Sequence, residues 1–270
     1  MSQVQSSRIG VRYPNLPTMY DLPSESPEEY GLPDRFHELQ PDLLSWTCQP
    51  PDYPRQNYLM AQDLNLYYDI EHPNWYKRPD WFVVLGVESE NCQEDLRLSY
   101  VTWQEERNPF LVVELLSPGT RPEDLGQTRA SVDLPPTKWE VYEQILEIPY
   151  YVVYDRYEND FRGFRLQGNR YRSLDVSTGR LWLEELGLGL GLWEGSYHEV
   201  RGLWLRFYDR QNNWIATPSE LAQQERQRAD RAELTLQQER DRADRAELEL
   251  EQLRDRLRAL NIDPDVNNDD

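Results

Sequence analysis

Apolar residues in this chain gather in short continuous runs rather than in long amphipathic periods. Trp81 to Leu85 is bounded by Pro79 and Gly86, and Phe110 to Leu116 by Pro109 and Ser117-Pro118-Gly119. Runs of that length between turn signals predict strands, and their continuity predicts cover on both faces. Ile148-Pro149-Tyr150-Tyr151-Val152-Val153-Tyr154-Asp155 predicts a further buried strand. From 57 to 70, Leu59, Leu64, Leu66 and Tyr68 among polar neighbours predict one alternating strand. Pro135-Pro136-Thr137-Lys138 predicts a helix start, with Pro tolerated in the first turn and Thr137 as cap, running to about Leu146. An earlier helix opens after Leu32 and runs to about residue 46, ended by Pro50, Pro51 and Pro54. Residues 161 to 209, with turn signals at Gly168-Asn169 and Gly179, predict antiparallel hairpins. The fold class expected is α/β, a mixed central sheet with flanking helices and extra hairpins.

The two ends differ from this middle. Pro14, Pro17, Pro23, Pro27 and Pro33 are too closely spaced for a regular element, so residues 1–34 are expected as an extended arm and 35–216 as the globular domain. Beyond 217, QQERQRADRAELTL at 223–236 recurs as QQERDRADRAELEL at 237–250. A 14-residue repeat is two heptads: Ala222, Ala229, Leu236, Ala243, Leu250 and Leu257 share one position, with Ala232, Ala246, Leu253 and Leu260 three further on. That spacing predicts a left-handed coiled-coil seam over 217–262, weak until its Leu-rich end because Glu225 and Glu239 interrupt it. A homo-oligomer through this segment is expected. The bland alternative is a single charged helix held by Glu–Arg pairs four residues apart. Residues 263–270 are expected as a disordered acidic tail.

Charge narrows the partners. With 29 basic and 49 acidic residues the net charge is −20, which opposes tight nonspecific binding to a phosphate backbone. Two cysteines, Cys48 and Cys92, supply neither a disulfide framework nor a metal pair, as in a reducing compartment. With no apolar leader and no run of 18 apolar residues, a cytoplasmic protein without a membrane span is expected.

The chemistry-bearing residues punctuate the strand-like runs. A carboxylate in such a place is costly to desolvate unless paired or liganded, and both Asp80 and Glu114 have that placement. On neighbouring strands they would converge on one Mg²⁺, with the Leu115 backbone carbonyl and waters completing an oxygen shell. Of the 29 basic residues only Lys77 and Lys138 are lysines. Lys138 would neutralise charge on a phosphoryl oxygen or orient the attacking water, and Tyr142, one turn on, would hydrogen-bond phosphate. The bland readings are a Pro-Asp turn for Asp80, an arginine salt bridge for Glu114 and a solvated helix lysine for Lys138.

Taken in order, Pro79-Asp80, Glu114-Leu-Leu-Ser117-Pro-Gly-Thr120, Asp124, Lys138-x-x-x-Tyr142 and Ile148 to Asp155 resemble the Uma-type family of restriction endonucleases within the PD-(D/E)XK nuclease superfamily. The resemblance spans about residues 57 to 160, and the later hairpins and charged tail are similar to long members of that family. It implies a restriction-endonuclease-like fold and DNA cleavage dependent on Mg²⁺, for which Mn²⁺ substitutes. Asp80 and Glu114 are the implied metal ligands and Lys138 the implied catalytic lysine. In the superfamily pattern that lysine lies two residues after the acid, where this chain has Leu116; Lys138 must reach the same point from a helix. Asp124 matches an acidic position after the Ser-Pro-x-Thr turn. The rival expectation is a degenerate nuclease fold acting as a scaffold through its tail, and RNA remains open beside DNA as substrate.

Overall fold

The structure is a computed structural model that describes residues 34–90, 92–117, 121–128 and 135–260. The predicted arm (except Asp34), the acidic tail and the loop segments 118–120 and 129–134 lie outside the described residues. Among the described residues five α-helices, α1 (Arg35–Thr47), α2 (Thr102–Glu105), α3 (Arg121–Asp124), α4 (Lys138–Glu140) and α5 (Pro218–Ala259), accompany strands β1 (Tyr58–Ala61), β2 (Leu66–Tyr67), β3 (Tyr76–Lys77), β4 (Trp81–Leu85), β5 (Tyr100–Val101) and β6 (Leu111–Leu115). The later strands are β7 (Tyr150–Asp155), β8 (Asp160–Gln167), β9 (Arg170–Ser173), β10 (Arg180–Leu183), β11 (Leu188–Tyr197) and β12 (Val200–Tyr208). The architecture is mixed α/β, as the apolar runs predict.

A six-stranded sheet in the order β1-β4-β6-β7-β8-β9 forms the centre. Only β6 and β7 pair in parallel within it; the other neighbours are antiparallel. The continuous runs become β4, β6 and β7, three of its four inner strands, because each must cover two faces. Alternation then sorts their side chains. Trp81, Val83, Val113 and Val152 point into one core, shared with α1 and the antiparallel sheet β10-β11-β12. Phe82, Val84, Val112 and Val153 point into the other, closed by Val141 and Tyr142.

Two sequence expectations change in detail. The strand expected over 57–70 is two strands, since Asp63 adopts φ 53° and breaks the run. Asp tolerates the left-handed region better than most residues, and the chain beyond it leaves the central sheet. There β2 pairs antiparallel with β3 and parallel with β5. The helix expected from Lys138 to Leu146 holds α geometry for Lys138–Glu140 and widens to a π-turn over Val141–Ile145. Its start is fixed by a capping box: Thr137 accepts from the Glu140 N–H while the Glu140 carboxylate takes the Thr137 N–H.

The chain forms two compact units, Met1–Ile215 and Ala216–Asp270. In the second unit α5 is one 42-residue helix with Pro218 in its first turn and a Thr217–Glu220 capping box. Among the described residues no helix is long and apolar enough to cross a membrane.

Candidate active site

The second core face carries a charged cluster whose members come from β6, the residue before β4, α3 and the start of α4. Glu114 lies in β6 between Val113 and Leu115, and alternation turns it to the face of Val112 and Leu116. It is fully buried. Strands β4 and β6 pair Trp81 with Val113, so continuing that register by one residue sets Asp80 across from Glu114. Strand β4 has ended there, and the half-buried Asp80 side chain takes its place in the ladder: Oδ2 accepts the Leu115 N–H at 2.6 Å.

Lys138 enters from the capped helix start. Its Nζ lies 3.0 Å from Glu114 Oε2 and 2.9 Å from Asp124 Oδ1, the latter carboxylate being 1% exposed. One helical turn on, the buried Tyr142 hydroxyl donates to Glu114 Oε1 at 2.7 Å. Both Glu114 oxygens therefore have donors, each from the helix that the capping box starts. The Asp124 backbone carbonyl accepts from the Tyr151 hydroxyl at 2.8 Å, which ties α3 to β7. Beside it, Glu123 Oε1 accepts from both Lys77 Nζ and the Lys138 N–H at 3.0 Å.

Electrostatics follow from burial and crowding. Burial pushes the Glu114 carboxyl well above its ordinary 4.5; Lys138 pulls it down, while Asp124 and Asp80 push it further up. Burial alone would lower Lys138, but Asp124, Glu114 and Asp80 more than offset it and hold the ammonium well above 10.5. Burial also works to raise Glu123, but Lys77 and the Lys138 N–H bring it below 4.5. Three carboxylates, those of Asp80, Glu114 and Asp124, thus act on a single ammonium group. The carboxylates around Lys138 outnumber it, which a cation would offset, and an all-oxygen donor set suits a hard divalent one. Among the described residues no group of three or more His, Cys, Asp or Glu side chains forms a ready-made cage. An ion held by Asp80 and Glu114 would draw its remaining ligands from backbone oxygen, substrate and water, the habit of Mg²⁺.

His37, to which the sequence assigns no role, reaches this edge from α1. Its Nδ1 is 2.9 Å from Asp34 Oδ1 and its Nε2 is 3.1 Å from the Leu115 carbonyl oxygen. Both partners are acceptors, so the two contacts together favour the doubly protonated ring. Burial opposes that charge, yet Asp34 and the nearby Asp80 raise its pKa above 6.5. The Leu115 carbonyl expected to bind metal therefore already has a donor, and a cation there would share it or displace it. No sequence signal announces this contact, since His37 and Leu115 are 78 residues apart. Tyr142 differs too: expected on phosphate, it is wholly buried and spends its hydroxyl on Glu114. Lys77, also without a role in the sequence pattern, borders the cluster through Glu123.

Residues 12–200 of this chain match a family of proteins described as "Putative restriction endonuclease". That family is Uma2, and the chain belongs to it. No curated protein matches the sequence. Among solved structures, the chain is similar to a crystal structure at 1.96 Å of a "putative nuclease belonging to DUF820" from Anabaena variabilis ATCC 29413. The identity is 13% and the TM-score 0.38, over 58% of this chain and 77% of that one.

Proposed function

We propose that this protein is a Mg²⁺-dependent endonuclease that hydrolyses DNA phosphodiester bonds, with Asp80 and Glu114 as metal ligands, Lys138 as catalytic lysine, and Mn²⁺ able to substitute. The observation that carries the reading is the position of Lys138 Nζ, within 3.0 Å of buried Glu114 and on the sheet face where the register sets Asp80. Family membership supports the nuclease class. A bound divalent ion supplies a water of lowered pKa and polarises the scissile phosphate. The chain's own groups do the rest. Lys138 stays an ammonium throughout the physiological range, so its part is to neutralise charge growing on the phosphoryl oxygens rather than to remove a proton. Tyr142 fixes the Glu114 carboxylate, and the Leu115 N–H fixes Asp80. Asp124, tied to β7 through Tyr151, gives Lys138 its second carboxylate.

Purified protein with Mg²⁺ or Mn²⁺ is expected to nick or cut DNA, and Asp80→Ala, Glu114→Ala and Lys138→Ala each to lose nearly all of that activity. Unchanged cleavage in all three variants would remove the assignment. Cleavage of RNA in preference to DNA would keep the site and change the substrate.

A further inference from the structure

We infer that α5 is the interface for a second copy of this chain, paired parallel and in register. The helix has no buried residue over 42 positions, yet its last two heptads set Leu250, Leu253, Leu257 and Leu260 at spacings of three, four and three. Leu250, Leu253 and Leu260 are 52%, 59% and 70% exposed. These four leucines share one stripe, the a and d positions of a two-stranded seam, while Leu234 and Leu248 lie on the opposite side of the helix. Toward the amino end the same positions hold Ala222, Ala229, Ala232, Leu236, Ala243 and Ala246, interrupted by Glu225 and Glu239, so the Leu-rich end carries the pairing.

Charges beside the seam choose the partner and its direction. With Leu250 and Leu253 as a and d, three g positions, Arg228, Arg242 and Glu249, have a charged e residue five positions later, Glu233, Glu247 and Arg254; the other g positions, Leu221, Thr235 and Arg256, form no charge pair. In a parallel, in-register pair each g residue faces the e residue of the next heptad on the other helix. All three such pairs are of opposite sign. The pattern is self-complementary, which identifies the occupant as the same chain. The globular units of both copies then join the coil at the same end. The pairing does not depend on the proposed nuclease reading.

Sedimentation equilibrium on the full chain tests it, because mass reports pairing whatever the chemistry. The expected mass is twice the 32.2 kDa of one chain, falling on dilution. Leu253→Glu/Leu257→Glu is expected to give the single-chain mass with the near-ultraviolet spectrum of the globular unit unchanged. Arg242→Glu/Glu249→Arg is expected to weaken pairing about tenfold or more, since four interhelical attractions become repulsions. Adding Glu247→Arg/Arg254→Glu is expected to restore it. For direction, Leu253→Cys in a Cys92→Ser background is expected to form an interchain disulfide. A wild-type chain monomeric at every concentration would overturn the proposal. So would pairing indifferent to the leucine variants, or a charge swap that fails to restore it.

Discussion

Lys138 Nζ lies 3.0 Å from Glu114 Oε2 although the two residues are 24 positions apart and on different elements. Position 116, two after the acid, is a buried leucine instead, packed in the second core. The ammonium group has been delivered to the acid by a capped helix start rather than by the strand.

That delivery has a cost that stability reports. Lys138→Met leaves Glu114 and Asp124 buried without their shared cation, and is expected to destabilise the protein by about 3 kcal/mol at neutral pH. Urea unfolding measures it. Glu114→Gln/Lys138→Met is expected to recover part of the loss, because one buried charge leaves with the other; an additive double variant would contradict the coupling.

Glu114 should make cation binding proton-linked. Its folded pKa is raised, so the folded chain binds this proton more tightly than the unfolded chain does. The cation-free protein therefore loses stability as pH rises from 4.5 through the folded value, and Glu114→Gln flattens that slope. A cation that displaces the proton binds better as pH rises, so Mn²⁺ affinity is expected to be higher at about pH 8 than at about pH 6. Titration calorimetry in buffers of different ionisation enthalpy reads the released proton.

The Tyr142 hydroxyl is wholly enclosed and its acceptor is Glu114. Tyr142→Phe is expected to cost about 1 to 2 kcal/mol and to weaken Mn²⁺ binding, since the carboxylate loses a fixed donor. If the hydroxyl instead contacted phosphate, thermal unfolding without DNA would be unchanged.

Much of this cluster was legible in the sequence because its members sit at punctuation: Asp80 and Glu114 at the apolar runs, Lys138 behind Thr137. The strands β4, β6 and β7 follow from continuous apolar runs, which demand cover on two faces whatever the topology. The break at Asp63 was not legible, because it depends on a left-handed residue inside an alternating pattern. The direction of Tyr142 was not legible either, since spacing sets a helix face but not the partner across it. His37 is the clearest case of a residue without a local signal: only the packing of α1 against β6 gives it a role.

His37 carries its own pH signature. Its pKa is raised, with burial opposing and Asp34 and Asp80 prevailing, so its contribution is full below 6.5 and is lost as pH rises through the folded value. Relative to the wild type, His37→Gln is expected to be destabilised in acid and to converge on it in alkali. Denaturant midpoints across that range check it; a constant difference would mean the ring is neutral.

The central claim is that Asp80 and Glu114 share one divalent ion, and a calorimetric Mn²⁺ titration of the wild type, Asp80→Ala and Glu114→Ala tests it most directly. One site in the wild type, lost in both variants while their folds persist, is the result predicted. Binding unchanged in either variant, or no binding in the wild type, would contradict it.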